Sequence, residues 1–469
     1  MFSQIRAGRV ARNLAWLGGS SIITRILSYA TLVVMAQRLE PDGYGLTVFT
    51  QTTVTYFVLL ADFGLGIYGT RELARDRANA KHWAATILSA RLMTTMVAAC
   101  LLALYIATIP LAPLSKSLLY LYGLSLPLGI FTLEWLFQGL EEMRYVAIGR
   151  VAQAAVYLFL VVWFIRDRHS LMLAPVLLAV SMLVLNATLG IAFTRRFGLP
   201  KSLAARLPVA DALRQSLPIG LSAIMIQVYY NADRILLGFI RSEAEVGWYD
   251  AAYRFVLLFT GIAALVAQAI LPRLSALATH THNDEIRLAL RLAAKIMIYA
   301  GLPIALAGSM LAVPLVTLIY GPGYEPSAPV LQIIMWQVFT VFANVAFAQA
   351  LLAFDHQKLY FYSVLSGAMI NLALNAFLIP RYGMIGASLS TMAAEIGVLS
   401  LLYYFATWKV GRVPIIEPLA KAVLACAGLG IAILVAQSVF WQLLLGGAAY
   451  VLILALTRPF SEQEKQRLL

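Results

Sequence analysis

Charged side chains stand inside long apolar runs at several points of this chain. Arg25 lies near the middle of SSIITRILSYATLVV; Asp233 and Arg234 are adjacent in YYNADRILLG; Asp250 and Arg254 share WYDAAYRF; Glu395 sits in STMAAEIGVL. Asp62, Arg91, Glu134, Arg150 and Lys295 lie nearer the ends of such runs. A charge in hydrocarbon costs about 3 kcal/mol or more unless it is paired or wetted, so each is a functional candidate. Guanidinium forks grip phosphate oxygens in pairs, as a lysine cannot. Arg25, Arg234 and Arg254 therefore read as a substrate-binding set for an anionic headgroup lining one cavity, and a pyrophosphate between a lipid and a sugar would supply the oxygens. Asp250 and Arg254 are four residues apart and can pair on one helix face, while Arg91, Arg150 and Lys295 can snorkel to the interface.

Carboxylates in lipid titrate near neutrality when desolvated. That makes Asp62, Glu134, Asp233 and Glu395 candidates for coupling to protons or sodium. No GxxxxGK[ST] occurs, so the chain carries no P-loop, and an ion gradient or the substrate gradient must supply the drive. No catalytic constellation and no cofactor is expected. His280 and His282 share a loop, His82, His169 and His356 are isolated, and Cys100 and Cys426 form no CxxC, so no metal site is expected. Tyr44, Tyr229, Tyr230, Tyr249 and Tyr253 could stack on sugars or form an interfacial belt.

These residues need elements to hold them, and composition says which kind. Of 469 residues, 61% are hydrophobic and 12% charged. A soluble fold is about half apolar and a quarter charged. The excess must face lipid, which excludes a soluble enzyme, a nucleic-acid binder and a disordered chain. A ruler of about 20 apolar residues per crossing yields about fourteen helical spans. The first is 13–37, the seventh 216–240, the eighth 248–271 and the twelfth 384–405. A last pair, 417–437 and 440–457, has a single re-entrant hairpin as its alternative. The basic, then apolar, amino-terminal stretch reads as a retained first helix rather than a cleaved signal.

The net charge is +13. Counted by side, about 21 Lys and Arg fall in the termini and alternate loops, against about six in the others. The asymmetry places both termini in the cytoplasm after an even number of crossings, so the basic charge is an orientation signal and no nucleic-acid partner is needed. The chain also repeats at a shift of 202: Arg12 falls on Arg214, Gly18 on Gly220, Ser20 on Ser222, Gly45 on Gly247 and Arg71 on Arg273. The expected fold is an all-α polytopic membrane protein with two six-helix lobes related by a parallel pseudo-two-fold repeat, plus two carboxyl-terminal helices. Its parts are 1–194, a cytoplasmic basic linker 195–215, 216–406, and 407–469 with the extra helices and tail. Gly18, Gly19, Pro127, Pro218, Gly220 and Pro303 can act as hinges or simply let helices pack closely.

Six segments carry a resemblance: ITRILSYATLVVMAQRLEPDGYGLTVF, LADFGLGIYGTRELA, EWLFQGLEEMRYVAIGRV, YYNADRILLGFIRSEAEVGWYDAAYRF, IYGPGYEPSAPVL and GMIGASLSTMAAEI. In this order they resemble Wzx-type polysaccharide flippases of the multidrug/oligosaccharidyl-lipid/polysaccharide exporter superfamily. The resemblance implies alternating-access transfer of an undecaprenyl-diphosphate-linked oligosaccharide across the inner membrane, for cell-surface polysaccharide synthesis, with a polysaccharide polymerase as a possible partner. Lipid-linked peptidoglycan precursor flippases are similar too, and their lumen arginines on the first and eighth helices match Arg25 and Arg254 in position. The rival classes are a cation-coupled multidrug extruder of the same superfamily, disfavoured by the mid-span arginines, and a membrane glycosyltransferase or polymerase, disfavoured by the short outer loops.

Overall fold

The computed structural model of the chain describes residues 2–198, 209–278, 283–411, 413–461 and 464. Part of the basic linker, with Lys201 and Arg206, lies outside the described residues, as do His280, His282, Arg412, Lys465 and Arg467. The described residues are helical with no strand. Hydrocarbon offers backbone N–H and C=O groups no water, so each spanning segment must satisfy its own, and a helix does so.

The helices pack into two compact units, Met1–Gly238 and Phe239–Leu469. The first contains α1 (Phe2–Asp62), α2 (Leu65–Arg75), α3 (Ala80–Thr108), α4 (Pro113–Tyr122), α5 (Ser125–Ile130), α6 (Glu134–Gly139), α7 (Met143–Phe164), α8 (Leu173–Phe197) and nearly all of α9 (Val209–Ile240). The helix that opens the second sequence copy thus packs with the first unit. α1 holds two apolar stretches separated at Glu40 (φ 61°, ψ 168°), directly before Pro41. Proline lacks an N–H and drives the residue before it out of helical geometry, so EPDG ends one pass and begins another.

A second break follows Asp62. Phe63 (φ 47°) and Gly64 (φ 77°) turn left-handed into α2. Here a side chain has no room: a Cβ on Gly64 would stand 2.6 Å from the Gly220 nitrogen and 2.8 Å from the Ser216 oxygen. A Cβ on Gly220 would meet the Phe63 carbonyl carbon at 2.7 Å. Gly220 is therefore a packing glycine that lets the backbone of α9 touch the α1–α2 turn. Gly18 and Gly19, by contrast, have nothing within 4 Å of a modest added Cβ. The apolar run 117–138 does not form one helix; it divides into α4, α5 and α6. α2, α3 and α6 share a core of Tyr68, Leu73, Ile87, Trp135 and Phe137.

The second unit contains α10 (Glu243–Ala278), α11 (Asn283–Met310), α12 (Ala312–Tyr320), α13 (Ser327–Ala353), α14 (Gln357–Lys409), α15 (Ile416–Val435) and α16 (Val439–Leu456). α13 is its centre, packed against α10, α11 and α14. α14 breaks at Gly383 (φ 55°, ψ −133°), just after Pro380. There the Met384 N–H, starting the second half, donates to Glu245 Oε2 at 2.9 Å. Glu245 is itself held by Arg241 Nε at 2.9 Å. α15 and α16 are separate helices of 20 and 18 residues, so the last pair is not a single short hairpin. α15 docks on α11, and Tyr450 of α16 donates to the Tyr299 carbonyl at 2.7 Å.

The protein is a multi-pass membrane protein: 10 segments of the described residues are long and apolar enough to cross a bilayer. The number differs from the hydropathy reading for two reasons. The segments Ala15–Arg75 and Gln357–Lys409 each run through a break, at Glu40 and Gly383. α9 and α10, which carry Asp233, Arg234, Asp250 and Arg254, are not among the ten.

Candidate functional site

In the first unit, Arg25 projects from the first half of α1 and is exposed. Ser21 and Ser28 are exposed as well. Spacings of four and three put Ser21, Arg25 and Ser28 on one face of the helix. Ile22 and Ile26, at 54% and 62% exposed, offer lipid an apolar surface beside that stripe. An exposed guanidinium within an apolar span is tolerable only against water or an anion. The sequence reading found Arg25 but not its two serines, whose signal was the four–three spacing itself.

Arg234 of α9 is buried, with 4% exposed. Its Nη1 donates to Asn231 Oδ1 at 2.7 Å and to the Tyr230 carbonyl at 3.2 Å, within its own helix. Asp233 is buried beside it. In the second unit, Arg254 Nε meets Asp250 Oδ2 at 2.9 Å. Asp250 is wholly buried, whereas the Arg254 side chain keeps 27% of its surface. The pairing read from their spacing is present, and the Arg254 side chain remains partly accessible.

The remaining charges have partners. Arg91 Nη2 lies 2.5 Å from Asp62 Oδ1, and its Nη1 donates to the Thr132 carbonyl at 2.7 Å. Arg150 grips Glu134 with two bonds, at 2.6 and 3.2 Å. Lys295 Nζ lies 2.9 Å from Glu464 Oε2 and donates to the Pro459 carbonyl at 3.1 Å. These arrangements replace snorkelling for Arg91 and Lys295, which are buried. Ion pairing inside a low-dielectric region answers the desolvation that snorkelling would have avoided. Glu464 lies outside the spans. Burial alone would raise its carboxyl, but the Ser461 N–H and the Lys295 ammonium outweigh it and hold the group below the ordinary glutamate value.

Glu395 of α14 is buried and held differently. Its Oε1 accepts from Gln337 Nε2 and its Oε2 from Asn344 Nδ2, each at 3.2 Å, both donors on α13. One turn earlier on α14, Thr391 Oγ1 lies 3.4 Å from the Tyr249 hydroxyl and accepts from Asn371 Nδ2 at 3.3 Å. The sequence reading named none of these amides. Three of the tyrosines it offered for sugar stacking are corrected: Tyr44, Tyr249 and Tyr253 are buried core residues, because their elements turn them inward. Tyr230 is the one that presents half its surface. Among the described residues no group of three or more His, Cys, Asp or Glu could hold a metal.

Residues 10–278 match the polysaccharide biosynthesis protein family, and residues 218–377 match the MatE family. The chain belongs to the polysaccharide biosynthesis protein family. It is 22% identical over 401 residues to a putative O-antigen transporter of Escherichia coli (strain K12), spanning 84% of this chain and 94% of that protein. It is 26% identical over 383 residues to a putative O-antigen transporter of Shigella dysenteriae, spanning 80% and 91%. Among solved structures, the lipid II flippase MurJ in an inward closed conformation superposes with a TM-score of 0.75 at 15% identity, covering 94% of this chain and 98% of that one. An inward-facing multidrug resistance MATE family transporter gives 0.64 at 13% identity, covering 82% and 94%. The fold is the one these transporters share, and it is the superfamily to which the six motif segments point.

Proposed function

We propose that this protein is a flippase that moves an undecaprenyl-diphosphate-linked oligosaccharide from the cytoplasmic to the outer leaflet of the plasma membrane, for cell-surface polysaccharide synthesis. Membership of the polysaccharide biosynthesis family supplies the setting. The observation that carries the reading is the exposed Ser21–Arg25–Ser28 stripe within a largely apolar stretch of α1. A polar headgroup has to pass about 30 Å of hydrocarbon while its lipid tail stays in lipid. A wetted guanidinium flanked by hydroxyls offers the diphosphate charge-assisted bonds along that path, and the hydroxyls can serve the sugar.

In this reading Arg25 is the first contact. Arg254 exchanges part of its hold on Asp250 for a phosphate oxygen, and Arg234, held by Asn231, shapes the path by its charge. Access alternates between the two sides, both termini are cytoplasmic, and coupling to protons or sodium is assigned to the carboxylate set Asp62, Glu134, Asp233 and Glu395. A polysaccharide polymerase is the natural recipient of the product. A multidrug extruder of the same fold would instead present carboxylates to cationic drugs, and Arg25, the exposed charge in the middle of the first apolar stretch of α1, is a cation.

The test is a proteoliposome assay with a polyprenyl-diphosphate oligosaccharide in one leaflet and a glycosidase outside. Protein-dependent exposure of the sugar to the enzyme is the expected result. Efflux of a lipophilic cation without sugar exposure would overturn the reading in favour of the extruder.

A further inference from the structure

α7 ends at a cleft that the transport reading leaves unused. Phe159, Trp163, Phe164 and Arg166 line it, around a volume of about 360 Å³. Each of the three aromatic side chains leaves close to half of its surface or more exposed. Phe159 and Trp163 are four residues apart on one face of the helix, with ring centres 6.0 Å apart and planes inclined at 45°. Met143–Phe164 is one of the 10 segments long and apolar enough to cross a bilayer. The rings therefore stand on its last turns, where hydrocarbon gives way to headgroups, and Arg166 stands just beyond.

Arginines gather at this end of α7, and the structure gives each a different task. Arg38 Nη1 donates to the Val162 and Ile165 carbonyls at 2.5 and 2.6 Å. Those oxygens belong to the end of the helix, where carbonyls lack helical partners of their own. Arg168 lies 3.9 Å from Asp42. The Asp167 carboxylate is turned to the Ser170 N–H and hydroxyl, at 3.1 and 2.9 Å. Arg166 has only its Nε engaged, on the Trp163 carbonyl at 3.4 Å. Among the described residues both of its terminal nitrogens lack a protein acceptor, and no carboxylate lies within ion-pair distance. The cleft thus joins aromatic rings to one uncommitted guanidinium fork. A fork of this kind grips phosphate oxygens in pairs. The rings take an apolar chain on their faces, and the Trp163 indole can donate to an oxygen at the same level. A free anion needs no rings, and an uncharged sugar needs more polar groups than this lining supplies.

We propose that Phe159, Trp163, Phe164 and Arg166 form a binding site for a singly charged phospholipid, its phosphate on Arg166 and the first part of one chain across Phe159 and Trp163. The loop charge count assigns this end of α7 to the outer side, so the lipid comes from the outer leaflet. The volume stands at the lower end of small-molecule pockets, which suits a phosphate and part of one chain. One free guanidinium matches the one charge of a phosphodiester. The diphosphate of the transport reading carries more charge, and its contact is Arg25. Binding here does not depend on that reading.

The test titrates the full-length protein, in an uncharged detergent, with phosphatidylglycerol brominated in one chain, and reads quenching of tryptophan fluorescence. Trp163 is one of eight tryptophans, so the difference between wild type and Trp163→Phe isolates its signal. That component is expected to saturate at a low mole fraction of lipid. Arg166→Gln, a change at an exposed side chain, is expected to raise the half-saturating fraction about tenfold, the weight of one charge-assisted contact. Brominated diacylglycerol with the same chains lacks the phosphate and is expected to quench wild type and Arg166→Gln alike, without saturating early. Equal phosphatidylglycerol titrations of wild type and Arg166→Gln would overturn the site, and so would diacylglycerol matching phosphatidylglycerol on the wild type. Either result would reduce the rings to an interfacial belt bathed by bulk lipid. Displacement of the brominated lipid by a polyprenyl diphosphate at lower mole fraction than by unlabelled phosphatidylglycerol would overturn the phospholipid in favour of the transported lipid. If Arg166→Gln fails to fold, the wild-type comparison of phosphatidylglycerol with diacylglycerol still decides. Failure of headgroup transfer in vesicles would refute the transport reading and leave this site standing.

Discussion

At the scale of single residues, the charges were legible because a charge in an apolar run is costly and therefore conspicuous. Arg25, Asp250 with Arg254, and Glu395 stood out on that ground. The amides did not: Gln337 and Asn344 are ordinary polar residues in sequence, and only the packing of α13 on α14 aims them at Glu395. The tyrosines failed in the opposite way, since their aromatic rings suggested sugar stacking or an interfacial belt and burial made Tyr44, Tyr249 and Tyr253 core. The Asp250–Arg254 pair gives a clear expectation. Asp250→Asn removes the charge facing Arg254 and is expected to lower stability by about 1–3 kcal/mol, measured by thermal unfolding in detergent. Because Arg254 stays partly accessible, the loss falls short of that for a fully buried pair. Simultaneous Arg254→Met is expected to recover part of it.

At the scale of elements, the breaks were partly written in sequence. EPDG, between the first two apolar runs, marked the end of the first pass through Pro41, whereas the left-handed turn at Phe63 and Gly64 into α2 falls inside the apolar run 46–68 that reads as one span. The division of 117–138 into α4, α5 and α6 was only hinted at: Pro127, read as a hinge or packing residue, falls in the first turn of α5, while the apolar character of all three pieces suggested one span. Close approach was also invisible before packing was known. Gly220→Val is expected to be strongly destabilising, by several kcal/mol, as a branched side chain would press on the Phe63 backbone. Gly18→Ala, with open space around it, is expected to leave stability unchanged. Equal effects of the two in a thermal-unfolding comparison would contradict the packing role.

The tail contact is an element-scale device with a pH signature. Glu464 binds Lys295 and the Ser461 N–H, which hold its carboxyl below its ordinary value near 4.3. A depressed carboxyl contributes stability above its unfolded value and loses it as pH falls through the folded one. The contacts of Pro459 and Glu464 with Lys295 of α11 are therefore expected to hold at neutral pH and to release only as pH falls below the ordinary glutamate range. Glu464→Gln is expected to loosen them at neutral pH. A fluorophore near residue 461 would report both.

At the scale of the whole molecule, composition and charge asymmetry made the helical membrane architecture legible, and the family match over residues 10–278 agrees with it. The division into compact units was less so. The 202-residue repeat groups α9 with the second copy, whereas α9 packs within the first unit. Sequence periodicity reports ancestry of segments, while packing answers to contacts such as Gly64 against Gly220, and the two need not coincide. The positive-inside count also makes an expectation. In a chain with Cys100 and Cys426 replaced by serine, Ser242→Cys should label with an impermeant maleimide from outside intact cells. Lys409→Cys should label only after permeabilisation. The reverse pattern would invert the topology.

The central claim is that a wetted cation on α1 carries a diphosphate-bearing head through the bilayer. It is tested most directly by the initial rate of oligosaccharide exposure in proteoliposomes holding matched amounts of wild type, Arg25→Ala and Arg25→Lys. The expected result is a fall of about tenfold or more for alanine, with lysine intermediate because a point charge replaces the bidentate fork. Rates for both variants equal to wild type would contradict the account.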